Sequence, residues 1–222
     1  MPGKAQKKGV GPVPLGAPGG EPTLDSIVAP IWTALERGRA DRRHAFHHPA
    51  VVTAGSDGWP TARTVVLRYS NAETGVLGFH TDARSPKVEQ LRSDARLAWH
   101  FYDPSAKIQL RVRSEAEVMT SGPEVDLAWS ETRLFSRRCY LAPHAPSSES
   151  EAADVNLPGD MLEANPDESR SEAGRSNFCV VRGRVVSIEW LWLRAGGHMR
   201  ARLDRVSRAR SRSGWAGVWL RP

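Results

Sequence analysis

Between Ala50 and Met119 the chain alternates short β-patterned runs with compact turn signals, and this leaves little room for anything but an antiparallel sheet. Ala50-Val-Val-Thr-Ala54 runs into a Ser56-Asp-Gly58 turn and then into Arg63-Thr-Val-Val-Leu-Arg68, which alternates around β-branched and aliphatic residues. Asn71-Ala-Glu-Thr-Gly75 holds the next turn, and Val76-Leu-Gly-Phe-His-Thr81 is the returning strand. Ala95–Tyr102 places Leu97, Trp99 and Phe101 on one face, Asp103-Pro-Ser105 turns, and Lys107–Met119 alternates Ile108, Leu110 and Val112 against Gln109, Arg111 and Arg113. A single helix interrupts the series, with Ser85 as N-cap, Pro86 at the first helical position and Val88 and Leu91 as its apolar face. Strands joined by short turns imply a meander closing into a barrel, not a parallel sheet with helical crossovers.

The flanking segments fit around that sheet. Leu24, Ile27, Val28, Ile31, Trp32 and Leu35 form a helical stripe, capped by Thr23 or Asp25 and ended by Gly38, that packs on the sheet. Glu124–Arg138 reads as a second helix with Val125, Leu127, Ala128, Leu134 and Phe135 toward the core. Strand character returns from Asn177 to Leu193, a Gly196-Gly197 turn leads into His198–Arg205, and Trp215–Pro222 supplies a last strand that closes the barrel. Residues 1–22 are rich in Gly, Pro and Lys and read as a disordered basic tail. Residues 23–222 then form one domain, interrupted by an acidic, aperiodic insertion at 144–176 that reads as disordered and exposed.

Charge narrows the function. The net charge is +6, but 144–176 alone carries eight acids against two bases, which leaves +12 on the rest. A basic body attracts nucleic acid or a phosphorylated small molecule. Nucleic acid is the weaker reading, because no zinc-finger spacing and no RNA-recognition aromatic motif is present. No apolar run is long enough to span a membrane, and the N-terminus lacks the apolar block of a signal peptide, so a cytoplasmic protein is expected. Cys139 and Cys179 are far apart and read as free thiols. His44, His47 and His48 lack a metal-ligand pattern, and no metal site is expected.

The stretch from Arg63 to Lys87 carries the chemistry. It sets Arg63 on a strand, hydroxyls at Thr81 and Ser85, and Lys87 in the first turn of a helix. Free N–H groups at a helix N-terminus favour an anion, and the two cations add charge if the fold brings them together. The spacing alone is more commonly that of a surface hairpin with solvated basic residues.

Taken in order, Arg63-Thr-Val-Val-Leu-Arg68, Phe79-His-Thr81, Ser85-Pro-Lys87 with Leu91, Trp99–Tyr102 and Gln109-Leu-Arg-Val resemble the FMN-binding core of the pyridoxamine 5′-phosphate oxidase family. The first helix and the Asn177-Phe-Cys and Ile188-Glu-Trp-Leu-Trp-Leu193 segments resemble its bacterial oxidase-like branch. The resemblance covers about residues 24–143 and 177–222. It implies a mainly β, α+β fold: an antiparallel, Greek-key-like split β-barrel with flanking helices, binding FMN at a homodimer interface.

By the same resemblance, Arg63, Ser85 and Lys87 hold the FMN phosphate, and backbone groups of Thr64, Val65, Val66 and Leu67 line the flavin ring. Arg68 stands where the family often has Lys, and His80 and Thr81 stand at its Tyr/Thr pair. Gln109 reaches the pyrimidine edge, from its own subunit or the partner, and Trp192 (or Trp190) with Arg202 adds contacts from the C-terminal hairpin. Trp129, Arg133 and Ser136 fall at the spacing of the family's grip on the substrate phosphate, with Arg68 and Arg200 as further substrate contacts. No side chain stands out as a catalytic acid or base. The activity implied is that of an oxidase in pyridoxal phosphate metabolism, passing a hydride from pyridoxamine or pyridoxine 5′-phosphate to FMN and then to oxygen. A flavin reductase, or a flavin- or haem-binding split barrel without turnover, is the alternative. The chain departs from the family where an Arg-Leu-His contacts substrate: Arg200-Ala-Arg202 lacks the histidine. A Gln-Ser pair that helps hold FMN also has no counterpart, because the acidic insertion occupies that region.

Overall fold

The computed structural model describes residues 22–207, 209–211 and 213–222. The tail expected at 1–22 lies outside the described residues except for Pro22, which is buried. Helix α1 (Leu24–Ala40) opens on a capping box in which the Thr23 hydroxyl accepts from Ser26 N–H. It lays Ile27, Ile31, Trp32 and Leu35 on the core. It runs two residues past Gly38, whose role is close approach: a Cβ there would sit 2.8 Å from Phe46 Cβ. The Gly38 carbonyl also meets His47 Nδ1 at 2.7 Å, while His44 Nδ1 accepts from Phe46 N–H.

Among the described residues nine strands make one antiparallel sheet: β1 (Ala50–Ala54), β2 (Pro60–Thr64), β3 (Tyr69–Asn71), β4 (Val76–Asp82), β5 (Arg96–Asp103), β6 (Ile108–Met119), β7 (Phe178–Trp192), β8 (Met199–Arg205) and β9 (Trp215–Leu220). Helix α2 (Pro86–Ser93) joins β4 to β5. The order β2-β1-β5-β6-β7-β4-β3 is no simple meander, because β1 pairs with β5 and β4 with β7.

The pivot is β7. Strand β6 follows one edge of it along its whole length, while its other edge pairs first with β4 and then, from Ser187, with β8. Where the partner changes, Val186 is an extra residue between the pairs Ser114↔Val185 and Arg113↔Ser187. A bulge there bends the strand where its two halves take different partners along one edge, β4 and then β8. Among the described residues strand β9 pairs with β8 alone, so it does not close the barrel as expected.

The seam is bridged by the segment read as a single strand. Regular pairing ends at Thr64. Val65 N–H then donates to Pro49 O, Leu67 N–H to His47 O and Arg68 N–H to Gly78 O. The chain therefore crosses from the β1 side to the β4 side within four residues, and Arg63–Arg68 is strand for its first two residues only. Inside, Trp99 stacks with Phe101 at 6.2 Å, and its indole N–H donates to Ser114 Oγ at 2.9 Å.

The expected helix at 124–138 is broken into α3 (Pro123–Glu131) and α4 (Leu134–Arg137). Thr132 Oγ1 donates back to Ala128 O, and the Arg137 guanidinium occupies the carbonyls of Trp129, Ser130 and Thr132. Leu127 and Phe135 face outward, against expectation, while Val125 stays in a second core with Trp129, Tyr140, Phe178 and Val180. The acidic stretch 144–176 holds one short helix, α5 (Glu168–Glu172), and 3-10 turns at Gly159–Met161 and from Arg175. It is anchored by buried Met161 and Ser171. Among the described residues no helix is long and apolar enough to cross a membrane.

Candidate functional site

The β1–β2 register pairs Arg63 with Val51 and Thr61 with Thr53, two residues along, with Gln90 of α2 alongside. Arg63 Nη1 donates to Thr53 Oγ1 at 2.6 Å and to Thr61 O at 3.0 Å. Its Nη2 donates to Thr61 Oγ1 at 2.9 Å and to Gln90 Oε1 at 3.2 Å. All these acceptors are neutral. Lys87 Nζ donates to Thr81 Oγ1 and Ser85 Oγ, each at 3.0 Å. Ser85 occupies the N-cap position of α2, but its side chain makes no capping bond; it belongs to this hydroxyl pair and is 2% exposed. The nearby acid, Asp82, is committed to Arg84, which pairs with it at 2.7 Å and also donates to Ala142 O.

Two cations thus stand within electrostatic reach of each other, and among the described residues neither has a carboxylate partner. Burial pushes the Arg63 pKa down, and burial followed by the Arg63 charge pushes Lys87 down. Burying charge without a counter-charge is costly, and the same geometry becomes favourable once a dianion arrives. The donor set fits a phosphate.

One residue before Thr81, β4 presents His80 to a cleft of about 460 Å³. Arg68, Arg133 and Ser136 line the same cleft, with Arg39, Arg42 and Arg182. A neighbouring cleft of about 380 Å³ shares Arg68, His80 and Ser136 and adds Val66, whose N–H donates to no group among the described residues. Arg68 is pushed down by burial and by the charges of Arg42 and Arg133. Burial, then Arg68 and Arg182, pushes His80 down to about 4, so at neutral pH its imidazole is uncharged and can accept a hydrogen bond. The His80 ring is held edge-on to Phe178 at 4.8 Å.

The remaining expected residues are placed elsewhere. Trp129 does not line the cleft: its indole is buried, donates to Glu172 Oε1 at 2.8 Å and packs on Phe178. Gln109 lies in a cross-strand row with Tyr102, Leu191 and Arg200, on the sheet face opposite buried Leu110, Trp190 and Ala201. Arg200 and Arg111 share Glu189, and Arg202 pairs with Asp204 at 3.0 Å. Trp192 stands next to the buried Trp190 with Arg194 over its ring. Neither Gln109 nor this hairpin lines the two clefts of its own chain. Sequence reasoning missed Thr53, Thr61 and Gln90, the acceptors that aim Arg63, and the cleft residues Arg39, Arg42, Tyr69 and Arg182. The Thr53/Thr61 pair across the Ser56-Asp-Gly58 turn was the one signal available for the first group.

Residues 29–120 match the family model described as pyridoxamine 5′-phosphate oxidase, FMN-binding domain. A pyridoxine/pyridoxamine 5′-phosphate oxidase 2 of Arabidopsis thaliana is 31% identical over 149 residues, covering 60% of this chain and 74% of that one. A pyridoxine/pyridoxamine 5′-phosphate oxidase of Erythrobacter litoralis is 35% identical over 99 residues, 45% of each chain. Among solved structures, a pyridoxamine 5′-phosphate oxidase-related, FMN-binding protein of Nostoc punctiforme superposes with a TM-score of 0.66 at 22% identity, covering 87% of this chain and 96% of the other. PhzG of Burkholderia lata, in complex with tetrahydrophenazine-1-carboxylic acid, superposes with a TM-score of 0.60 at 17% identity, covering 88% and 92%. These two structural likenesses show a shared fold.

Proposed function

The chain belongs to the pyridoxamine 5′-phosphate oxidase, FMN-binding family, and from that premise we infer that it is an FMN-dependent oxidoreductase acting on a phosphorylated small molecule. The observation that carries this reading is the Arg63–Lys87 cradle, two cations served only by neutral groups, one residue along β4 from a basic cleft. Arg63, Lys87 and the hydroxyls of Thr81 and Ser85 hold the FMN phosphate. The crossing segment Thr64–Leu67 lines the ring, with the Val66 N–H as a free donor. Arg68, Arg133 and Ser136 bind the phosphate of the substrate, and neutral His80 accepts a hydrogen bond between the two groups.

FMN held there would supply two-electron redox chemistry at the C4′ carbon of pyridoxamine or pyridoxine 5′-phosphate, with oxygen as the final acceptor. The protein's part is to hold the two phosphates so that this carbon faces the ring, and to keep cationic charge around both.

Gln109, Arg200 and Arg202 reach a flavin in this scheme only from a second subunit, since they occupy the outer sheet face, whereas Trp192 packs against the core on the inner face beside Trp190. A homodimer joined over that face meets the requirement, and exposed Tyr102 and Val218 give it apolar contacts. A second reading, a reductase or a flavin binder with another substrate, is favoured by one observation: Arg200 and Arg202 are already paired with Glu189 and Asp204. The purified protein should carry the yellow absorbance of oxidised flavin, and oxygen uptake should follow addition of pyridoxamine 5′-phosphate. A protein that stays colourless and cannot be reconstituted with FMN defeats the first reading. A flavin-loaded protein without oxygen uptake leaves the second.

A further inference from the structure

The larger cleft is more basic than one phosphate requires. Five arginines line it against two glutamates. Arg182 is accounted for: it pairs with Glu124 and lies over the Tyr69 ring at 3.4 Å. That leaves Arg39, Arg42, Arg68 and Arg133 facing Glu131, and among the described residues none of the four makes an ion pair. Arg68 and Arg133, with the Ser136 hydroxyl, are sufficient for a phosphate dianion.

Arg39 and Arg42 come from a different part of the chain, the last turn of α1 and the turn that follows it. Arg39 is at a helix C-terminus, where a cation is already favoured. Arg42 lies beyond the helix and has no such compensation. The nearest acid in sequence, Asp41, accepts instead from the Arg43 N–H at 2.9 Å. Burial, and after it both Arg42 and Arg133, disfavour the charge of Arg68. Several like charges around one concavity repel each other in the empty protein, and a ligand with matching negative charge relieves that repulsion.

We propose that Arg39 and Arg42 form a second anion subsite, and that the cleft favours a substrate carrying a carboxylate or second phosphate, in addition to the phosphate held by Arg68 and Arg133, over one with a single acidic group such as pyridoxamine 5′-phosphate. The inference rests on the functional reading above, since it deepens the same cleft. It predicts discrimination between ligands with one and with two acidic groups on the same skeleton.

Glycerol 3-phosphate and 3-phosphoglycerate are such a pair, differing by a carboxylate, and 2,3-bisphosphoglycerate adds a second phosphate. Their affinities for the FMN-loaded protein are read by titration calorimetry. The expected result is binding of 3-phosphoglycerate at least about tenfold tighter than glycerol 3-phosphate. In the double variant Arg39→Gln/Arg42→Gln this ratio should fall to about one to three. Arg133→Gln should weaken both ligands and leave the ratio. The bisphosphate shows whether the subsite prefers phosphate or carboxylate. Equal affinities in the unaltered protein, a ratio that survives in the double variant, or no binding of any of the three overturns the proposal. The flavin absorbance of the same samples reports separately on the FMN site. Bound flavin without discrimination defeats this inference alone, and loss of flavin defeats the functional reading.

Discussion

Lys87 donates to Ser85 Oγ at 3.0 Å, so the residue that should cap α2 instead serves the lysine two positions later. The helix therefore begins with its N-terminal N–H groups uncapped by that side chain and with an ammonium beside them. Positive charge at a helix N-terminus opposes the helix dipole, and only a bound anion makes the arrangement favourable.

Removing that charge should weaken FMN and spare the fold. Lys87→Met is expected to raise the FMN dissociation constant by about tenfold to a hundredfold, the loss of a charge-assisted contact. Arg63→Ala with Lys87→Ala should abolish retention of flavin through purification. The flavin-free variants should melt close to the flavin-free parent, because the lost hydrogen bonds to neutral acceptors are offset by removing two part-buried charges that have no carboxylate partner. Fluorescence titration with FMN and thermal melts of the same samples test both halves. Unchanged flavin affinity in the double variant removes Arg63 and Lys87 from the phosphate site.

FMN affinity should also fall at alkaline pH earlier than a solvent-exposed lysine would allow. In the flavin-free protein the Lys87 pKa lies below its ordinary value of 10.5, so it loses its proton sooner on raising the pH. A phosphate dianion favours the charged form, so binding takes up a proton above that depressed pKa and weakens with each further rise. Titrations from neutral to mildly alkaline pH should show this decline in the parent and a flatter profile in Lys87→Met.

His80 gives a response at the other end of the scale. Its pKa falls from 6.5 unfolded to about 4 folded, chiefly through burial. Between those values the unfolded chain binds the extra proton, so stability falls as the pH drops through this window and is fully retained above 6.5. The shift corresponds to at most about 3 kcal/mol. His80→Gln should melt with a flatter dependence on pH across the window. An identical slope in parent and variant would falsify the assignment of this acid sensitivity to His80.

Much of this architecture was legible because period-two alternation reports which face of a strand is buried. Leu97, Trp99 and Phe101, and Ile108, Leu110 and Val112, all point inward as read. Alternation does not report which strand is the partner. Val65 and Leu67 keep the inward pattern while their N–H groups bond outside any regular ladder, so Arg63–Arg68 looked like one strand. The split at Val186 was hidden for the same reason, since one extra residue in a long apolar run leaves no trace in composition. Helical spacing put Trp129, Arg133 and Ser136 together, but it cannot show that Arg137 folds back and breaks the helix between the first two. Arg39 and Arg42 sit in a basic run whose residue types are the same on a solvated turn as on a cleft wall.

Arg137 should prove the residue that positions the phosphate grip. It is 6% exposed and donates to Trp129 O, Ser130 O and Thr132 O, to Ser171 Oγ and to Glu172 Oε1, with its guanidinium 4.6 Å from the Trp129 ring centre. These contacts hold the α3–α4 break and tie it to α5, and Arg133 lies in that break as the N-cap residue of α4. Arg137→Met keeps the bulk but leaves several carbonyls without a donor, which costs about 3 kcal/mol. Arg137→Lys should rescue little, because one ammonium cannot span acceptors that the planar fork reaches together. Glu172→Gln keeps an acceptor for both Trp129 and Arg137 at a half-exposed position, so its cost should stay below about 1 kcal/mol. Denaturant unfolding measures these differences. The positioning role has its own readout, the affinity of the FMN-loaded protein for glycerol 3-phosphate, which should fall several-fold in Arg137→Lys under conditions where that variant is fully folded. A folded Arg137→Lys protein with parental affinity would show that Arg133 holds its place without the clamp.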